Sequence, residues 1–185
     1  MVSNTSKFKD YIDRVNDVLN KINTDEVENL LSCIKQVVNL RGKIYVLGNG
    51  GSAATASHFV NDLNVIAGRR GILIDSISLT DNIASVTAIS NDHSFNDIFS
   101  VQLTGRLKQS DLVFCISASG NSLNLINAVK YATSCNVVSA SLVGFDGGIL
   151  RDISSFSCLA PSPKGEYGPT EDAHMSVCHY LALNC

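Results

Sequence analysis

Four short segments of this 185-residue chain combine residue types that do chemistry together. The first is Gly48-Asn49-Gly50-Gly51-Ser52, which runs directly into Ala53-Ala54-Thr55. The second is Ser117-Ala118-Ser119-Gly120-Asn121-Ser122, which runs into Leu123-Asn124-Leu125-Ile126. Glycines let the backbone turn tightly and approach a ligand, and a helix starting there offers free N–H groups and a partial positive charge. Ser52, Ser117, Ser119 and Ser122 add hydroxyl donors. These are the groups a phosphate needs where no lysine is supplied. No Gly-Lys-Ser/Thr follows, so neither loop is a Walker loop, and the spacing is not that of a dinucleotide-binding GxGxxG. One such loop alone is equally an ordinary strand-to-helix turn; two at equivalent positions of one sheet point to phosphate.

The third and fourth segments carry imidazoles and carboxylates. His58 and Asp62 are four residues apart and share a helical face. Pro169-Thr170-Glu171-Asp172-Ala173-His174 opens a last helix that continues to His179. Glu171 and His179 are eight residues apart, about 80° around a helix axis, so both can face one site. A histidine and a carboxylate on each of two helices make a four-ligand set for a divalent ion, and imidazole suits zinc. The competing reading is that Glu171 and Asp172 complement the N-terminal dipole of their helix. His93 and His174 are expected to be structural or peripheral, with His174 about 60° from Glu171 on the helix flank.

These segments need a frame, and the rest of the chain supplies it. Lys43–Leu47, Ile72–Leu79, Leu112–Ser117 and Val137–Val143 are short apolar runs rich in β-branched residues, with a weaker fifth at Phe156–Ala160. Helical patterns separate them at Ala53–Val65, Asn82–Ile89, Ile98–Leu107, Leu123–Ser134 and Glu171–Leu183. Alternating strands and helices predict a parallel five-stranded sheet covered on both faces, a three-layer α/β sandwich. Ligands of such sheets bind in the loops beyond the carboxyl ends of the strands, where both glycine-serine loops fall.

Ahead of the sheet, residues 1–41 read as two helices forming a helical extension. Phe8, Tyr11, Ile12, Val15, Val18, Leu19 and Ile22 make one stripe; Thr24 is the expected N-cap of a second helix striped by Val27, Leu30, Leu31, Ile34, Val37 and Val38, which Arg41-Gly42 closes. The stripes either cover the sheet or pack against another subunit. Residues 42–185 form the α/β core, and no linker divides the chain, so one domain over 1–185 is expected.

Composition sets the outer bounds. The chain is 45% hydrophobic and 17% charged, which excludes intrinsic disorder as a description of the whole. No apolar run approaches bilayer length, and the polar N-terminus lacks the apolar centre of a secretory signal, so a cytoplasmic protein without a membrane partner is expected. Net charge is −3 and no Lys/Arg cluster stands out, which argues against a nucleic-acid partner. The six cysteines are scattered with no CxxC pair, as expected of reduced structural thiols rather than disulfides or metal ligands.

Four stretches, GNGGSAATASHFVNDL (Gly48–Leu63), SNDHSFNDIF (Ser90–Phe99), ISASGNSLNLINAVKYA (Ile116–Ala132) and EDAHMSVCHYL (Glu171–Leu181), in this order, resemble the sugar isomerase (SIS) domain family and, within it, the phosphoheptose isomerase branch. The resemblance covers the whole chain. It implies a flavodoxin-like topology and a homotetramer whose N-terminal helices help form the oligomer core and whose active sites are shared between subunits. It implies aldose–ketose isomerisation of sedoheptulose 7-phosphate to D-glycero-D-manno-heptose 7-phosphate, toward heptose for bacterial lipopolysaccharide or capsule.

Carried over residue by residue, the resemblance assigns substrate contacts to Asn49, Gly50, Gly51, Ser52, Asn91, Asp92, Ser117, Ala118, Ser119, Ser122 and Glu171. It makes His58 and His179 ligands of one Zn2+ per subunit, with Asp62 and Glu171 completing the set. Two positions depart from the family: Asp62 stands where a glutamate is usual, and Glu171 where a glutamine is usual. The reaction needs a base near C2, an acid for the carbonyl oxygen and stabilisation of the enediolate. Asp62 or Glu171 is expected as the base, with His179 as its acid/base partner. The rival expectations are an isomerase of another sugar phosphate, or a non-catalytic SIS-domain protein that binds sugar phosphates or a replication initiator. Such binding forms have no need of Asp62, Glu171 and His179.

Overall fold

The computed structural model describes residues 7–185. Two helices come first, α1 (Lys7–Lys21) and α2 (Thr24–Asn39), followed by β1 (Lys43–Gly48), α3 (Gly51–Arg69), β2 (Asp75–Ser78) and α4 (Ile83–Asp92). A 3-10 turn at Phe95–Asp97 and the one-turn α5 (Ser100–Leu103) lead to β3 (Leu112–Ser117), α6 (Leu123–Ser134) and β4 (Val138–Phe145). The chain ends with α7 (Gly148–Ile153), β5 (Phe156–Pro161) and α8 (Tyr167–Asn184). The five strands are all parallel in the order β2-β1-β3-β4-β5, the flavodoxin-like order.

Side-chain alternation along the strands splits the core into two layers. Ile44, Val46, Leu112, Phe114, Ile116 and Leu142 pack under α2, α3 and α8, with Phe59, Leu63 and Leu181 as partners. Tyr45, Leu47, Val113, Cys115 and Val143 pack on the opposite face under α5 and α6, against Leu103, Leu125 and Val129. The central strand β3 is buried over its whole length, which is why LVFCIS reads as an uninterrupted apolar run.

Several element boundaries differ from the sequence reading, each for a local reason. The N-cap of α2 is Asn23, whose side chain accepts the Asp25 N–H, and Thr24 is already helical. The strand expected from Ile72 is shortened to Asp75–Ser78, because Ile72 still bonds back to the Ala67 carbonyl and Leu73 lies exposed. The expected helix over 98–107 shrinks to the one-turn α5, which follows the 3-10 turn and ends ahead of Gly105 at φ +73°. Helix α8 starts at Tyr167, four residues early, since Pro169 sits in a first turn that needs no N–H from it. Helix α7 has too little sequence to show a period, and the sequence reading did not include it.

The six cysteines are unpaired, and burial pushes the Cys33 thiol up to about 11 and that of Cys158 to about 12, so both stay protonated. No helix among the described residues is long and apolar enough to cross a membrane.

Polar contacts of Tyr11 and Glu26 help tie the N-terminal helices to the rest of the fold. Tyr11 Oη donates to Asp172 Oδ2 at 2.5 Å, joining α1 to α8. Glu26 on α2 accepts the Leu159 N–H of the edge strand β5 at 2.9 Å and meets Arg151 at 3.1 Å, which also occupies a strand edge that would otherwise be open. A hydrogen bond to a charged group contributes about 1.5–3 kcal/mol. Glu26→Ala should lower the unfolding free energy by that amount in urea titration, with the m-value unchanged.

Candidate functional site

The crevice between β1 and β3, where the strand order reverses, is the topological switch point, and both glycine-serine loops open onto it. A pocket of ≈ 180 Å3 is lined there by Asn49, Ser52, Ser117, Ala118, Ser119, Ser122 and Glu171, together with Tyr167. Asn49 and Asn124 lock the two loops together by reciprocal amide hydrogen bonds of 2.9 Å. Gly120, at φ +63°, approaches the Gly147 carbonyl so closely that a Cβ would lie 1.9 Å from that oxygen.

The serines are arranged to donate. Ser117 Oγ accepts the Gly120 N–H at 3.1 Å, and Ser119 Oγ accepts the Asn121 N–H at 3.2 Å. Each hydroxyl is thereby held by its oxygen and keeps its O–H for a ligand. Ser122 is the N-cap of α6 but makes no side-chain cap bond, so its hydroxyl is also uncommitted. The N-termini of α3 and α6 point at the same pocket, which suits an anion.

Two turns further along α3 and α8 lies a second cluster. Asp62 Oδ2 is 3.3 Å from His58 Nε2 and 3.7 Å from His179 Nε2, and the two ring nitrogens are 3.2 Å apart. Ligand atoms around a tetrahedral zinc with bonds of about 2.0–2.1 Å are separated by about 3.3–3.4 Å, so the three atoms already have the spacing of a coordination shell. The donor set of two imidazoles and one carboxylate fits a divalent ion. Without an ion, the same geometry serves a shared proton: one imidazole donates to the other or to Asp62.

Glu171 is not in this cluster. An offset of about 80° around the axis does not place two side chains together when eight residues of rise, about 12 Å, separate them along it. Its carboxylate instead lies against the start of α3, where a Cβ on Gly51 would meet both oxygens at 2.6 Å. There it faces the serine pocket without a hydrogen-bond or ion-pair partner among the described residues. Asn91 and Asp92 end α4, bonded to one another at 2.9 Å and exposed, outside the pocket.

Sequence reasoning missed Tyr167 and Asn124. Tyr167 lines the pocket and stacks edge-on against Phe145, with ring centroids 5.2 Å apart. Its position four residues ahead of the expected start of the last helix was the available signal. Asn124, a polar residue on the apolar side of α6, was legible in the same way.

His174 sits on the buried side of α8. It is fully buried and neither ring nitrogen has a hydrogen-bond partner of good geometry. Burial lowers its pKa to about 4, partly opposed by the Val143 backbone. The unfolded chain therefore takes up a proton near pH 6.5 that the folded one refuses until about pH 4, so stability falls as pH drops through that window. Between pH 7 and pH 5 this one group should remove about 2 kcal/mol. His174→Leu should reduce the pH 7-to-5 stability difference by that amount, read from denaturant midpoints at the two pH values.

Known proteins resemble the chain in sequence and in fold. The SIS domain family matches residues 8–144. A phosphoheptose isomerase of Sulfurimonas denitrificans is 36% identical over 166 residues, covering 84% of this chain and 83% of its own. One from Helicobacter pylori is 33% identical over 164 residues, with 84% and 83% covered. The solved structure of a phosphoheptose isomerase from Neisseria gonorrhoeae superposes with a TM-score of 0.84 at 30% identity, over 96% of this chain and 93% of that one.

Proposed function

Since the chain belongs to the SIS domain family and, within it, to the phosphoheptose isomerases, phosphosugar aldose–ketose isomerases of heptose synthesis, we propose that it converts sedoheptulose 7-phosphate to D-glycero-D-manno-heptose 7-phosphate for bacterial surface polysaccharide. The observation that carries this reading is the pairing of a serine-lined anion pocket with a histidine–carboxylate cluster two turns away on the same two helices. The separation is comparable to the span of an open-chain seven-carbon sugar from its phosphate to its carbonyl end.

In this reading Ser52, Ser117, Ser119, Ser122 and the backbone of Gly50, Gly51 and Ala118 hold the phosphate, and Asn49 braces the loops. The proton moves between C1 and C2 through an enediol. Asp62 takes it and His179 serves the C1 and C2 oxygens, since both stand at the carbonyl end of the sugar's path, while Glu171 stands at the phosphate end. His58, Asp62 and His179 would hold one zinc ion through Nε2, Oδ2 and Nε2. When bound, zinc polarises the carbonyl and stabilises the enediolate. Neither His179 Nε2 nor Asp62 Oδ2 can be a ligand and carry a proton at once, so with the ion bound the proton would be taken by the other oxygen of Asp62, Oδ1.

The cluster lies open on one side: the side chains of His58 and His179 are 48% and 47% exposed. Phe8 and Ile12 on α1 and Leu183 on α8 are exposed apolar residues. Both features support a homotetramer in which neighbouring copies cover α1 and close the sites. Asn91 and Asp92 then reach substrate across a subunit boundary.

Incubation with sedoheptulose 7-phosphate, with and without chelator, tests the proposal. Aldoheptose 7-phosphate should form, chelator should slow it at least tenfold, and added zinc should restore it and raise the melting temperature. His58→Ala should abolish that thermal shift. Turnover of a different sugar phosphate with sedoheptulose 7-phosphate inert would overturn the substrate assignment. Turnover and melting temperature indifferent to chelator would overturn the zinc assignment.

A further inference from the structure

The serine loops occupy the C-terminal ends of the strands, and a second cavity lies at the opposite ends. It is ≈ 330 Å3 in volume and is enclosed by the starts of β1 and β2 and by the turns before β1 and β3. Its wall on β1 is Tyr45, whose ring is buried in the core while its hydroxyl opens to the cavity and makes no hydrogen bond to the described residues. With no protein partner, that hydroxyl is free to donate to a ligand in the cavity.

Charge says which kind. Four cations, Arg41, Lys43, Arg106 and Lys108, line the cavity with two carboxylates, Asp75 and Asp111. Both carboxylates are occupied. Asp75 takes Lys43 Nζ at 3.3 Å. Asp111, only 3% exposed, accepts the backbone N–H groups of Lys43 at 2.8 Å and Lys108 at 2.9 Å. Arg41, Arg106 and Lys108 make no ion pair among the described residues, and the cavity keeps an excess of two positive charges.

Water would satisfy the Tyr45 hydroxyl but would leave that charge unbalanced. Offsetting a helix dipole accounts for Arg41, which follows the C-terminus of α2. It does not account for Arg106 and Lys108, which follow the one-turn α5. The Tyr45 phenol is held protonated, raised by burial and by Asp111 against the opposing pull of Arg106, so it stands as a donor at neutral pH. Two guanidiniums, an ammonium and a phenol hydroxyl around a small cavity match a phosphate group, for which the planar guanidinium supplies paired donors.

We propose that this cavity is a second anion site, separate from the catalytic crevice, which binds a small phosphate-bearing metabolite through Arg41, Arg106, Lys108 and the Tyr45 hydroxyl. Isothermal titration calorimetry with inorganic pyrophosphate at low salt tests it on the full chain. Two classes of site are expected. Ser119→Ala should weaken one class by about tenfold or more and leave the other. Arg106→Gln, a change at an exposed side chain, and Tyr45→Phe, a near-isosteric one, should each weaken the second class at least tenfold and leave KM for the sugar phosphate unchanged. Unchanged melting temperatures of both variants would exclude misfolding as the cause. A single class of site that Ser119→Ala weakens and Arg106→Gln leaves intact would overturn the proposal. So would two classes that respond to neither Arg106→Gln nor Tyr45→Phe.

Discussion

The side-by-side packing of α3 and α8, running in the same direction, is the constraint on which the rest of the structure depends. Its two ends are visible as two close approaches: Gly51 against Glu171, and His58 against His179. The first holds a carboxylate over the anion pocket, and a side chain on Gly51 would push that carboxylate aside. The second brings two imidazoles and Asp62 to within coordination distance of one another. Had the helices been antiparallel, Glu171 would have met the histidine end of α3, and the phosphate pocket would have lost its carboxylate. The N-terminal helices matter because they fix this seam from outside, through Tyr11 on Asp172 and through Glu26 on β5.

Much of this was readable from residue order, because the strands of a doubly covered parallel sheet are short, apolar and β-branched, and β3 and α6 were placed at their observed bounds. The two loops followed from glycine and serine between a strand and a helix. His58 with Asp62 followed from a four-residue step, which fixes both angle and height on one helix. Glu171 with His179 did not follow in the same way: eight residues fix the angle but leave about 12 Å of rise, and only the packing of α3 decides where each side chain finds a partner. Tyr167 and Asn124 escaped notice because their roles come from tertiary neighbours, Phe145 and Asn49, that are distant in sequence. The shortened β2 reflects its position at a sheet edge, where the return from α3 competes with pairing.

The two ends of the sheet handle negative charge by different means. No lysine or arginine lines the serine pocket, where hydroxyls, backbone N–H groups and helix N-termini face the ligand. Such donors hold an anion without a full opposing charge, so a carboxylate as close as Glu171 opposes a bound phosphate and weakens its retention. At the other end, where helices finish and their dipoles favour cations, four cationic side chains gather around Tyr45.

The central claim is that the carboxylate held between His58 and His179, rather than the one over Gly51, takes the proton. Single-turnover isomerisation of sedoheptulose 7-phosphate by Asp62→Asn and by Glu171→Gln, each saturated with substrate, tests it most directly. A general base contributes about 10²–10⁴-fold. The account predicts a loss of at least a hundredfold for Asp62→Asn, and for Glu171→Gln a smaller loss. Near-normal rates in both variants, or a larger loss in Glu171→Gln than in Asp62→Asn, would contradict it.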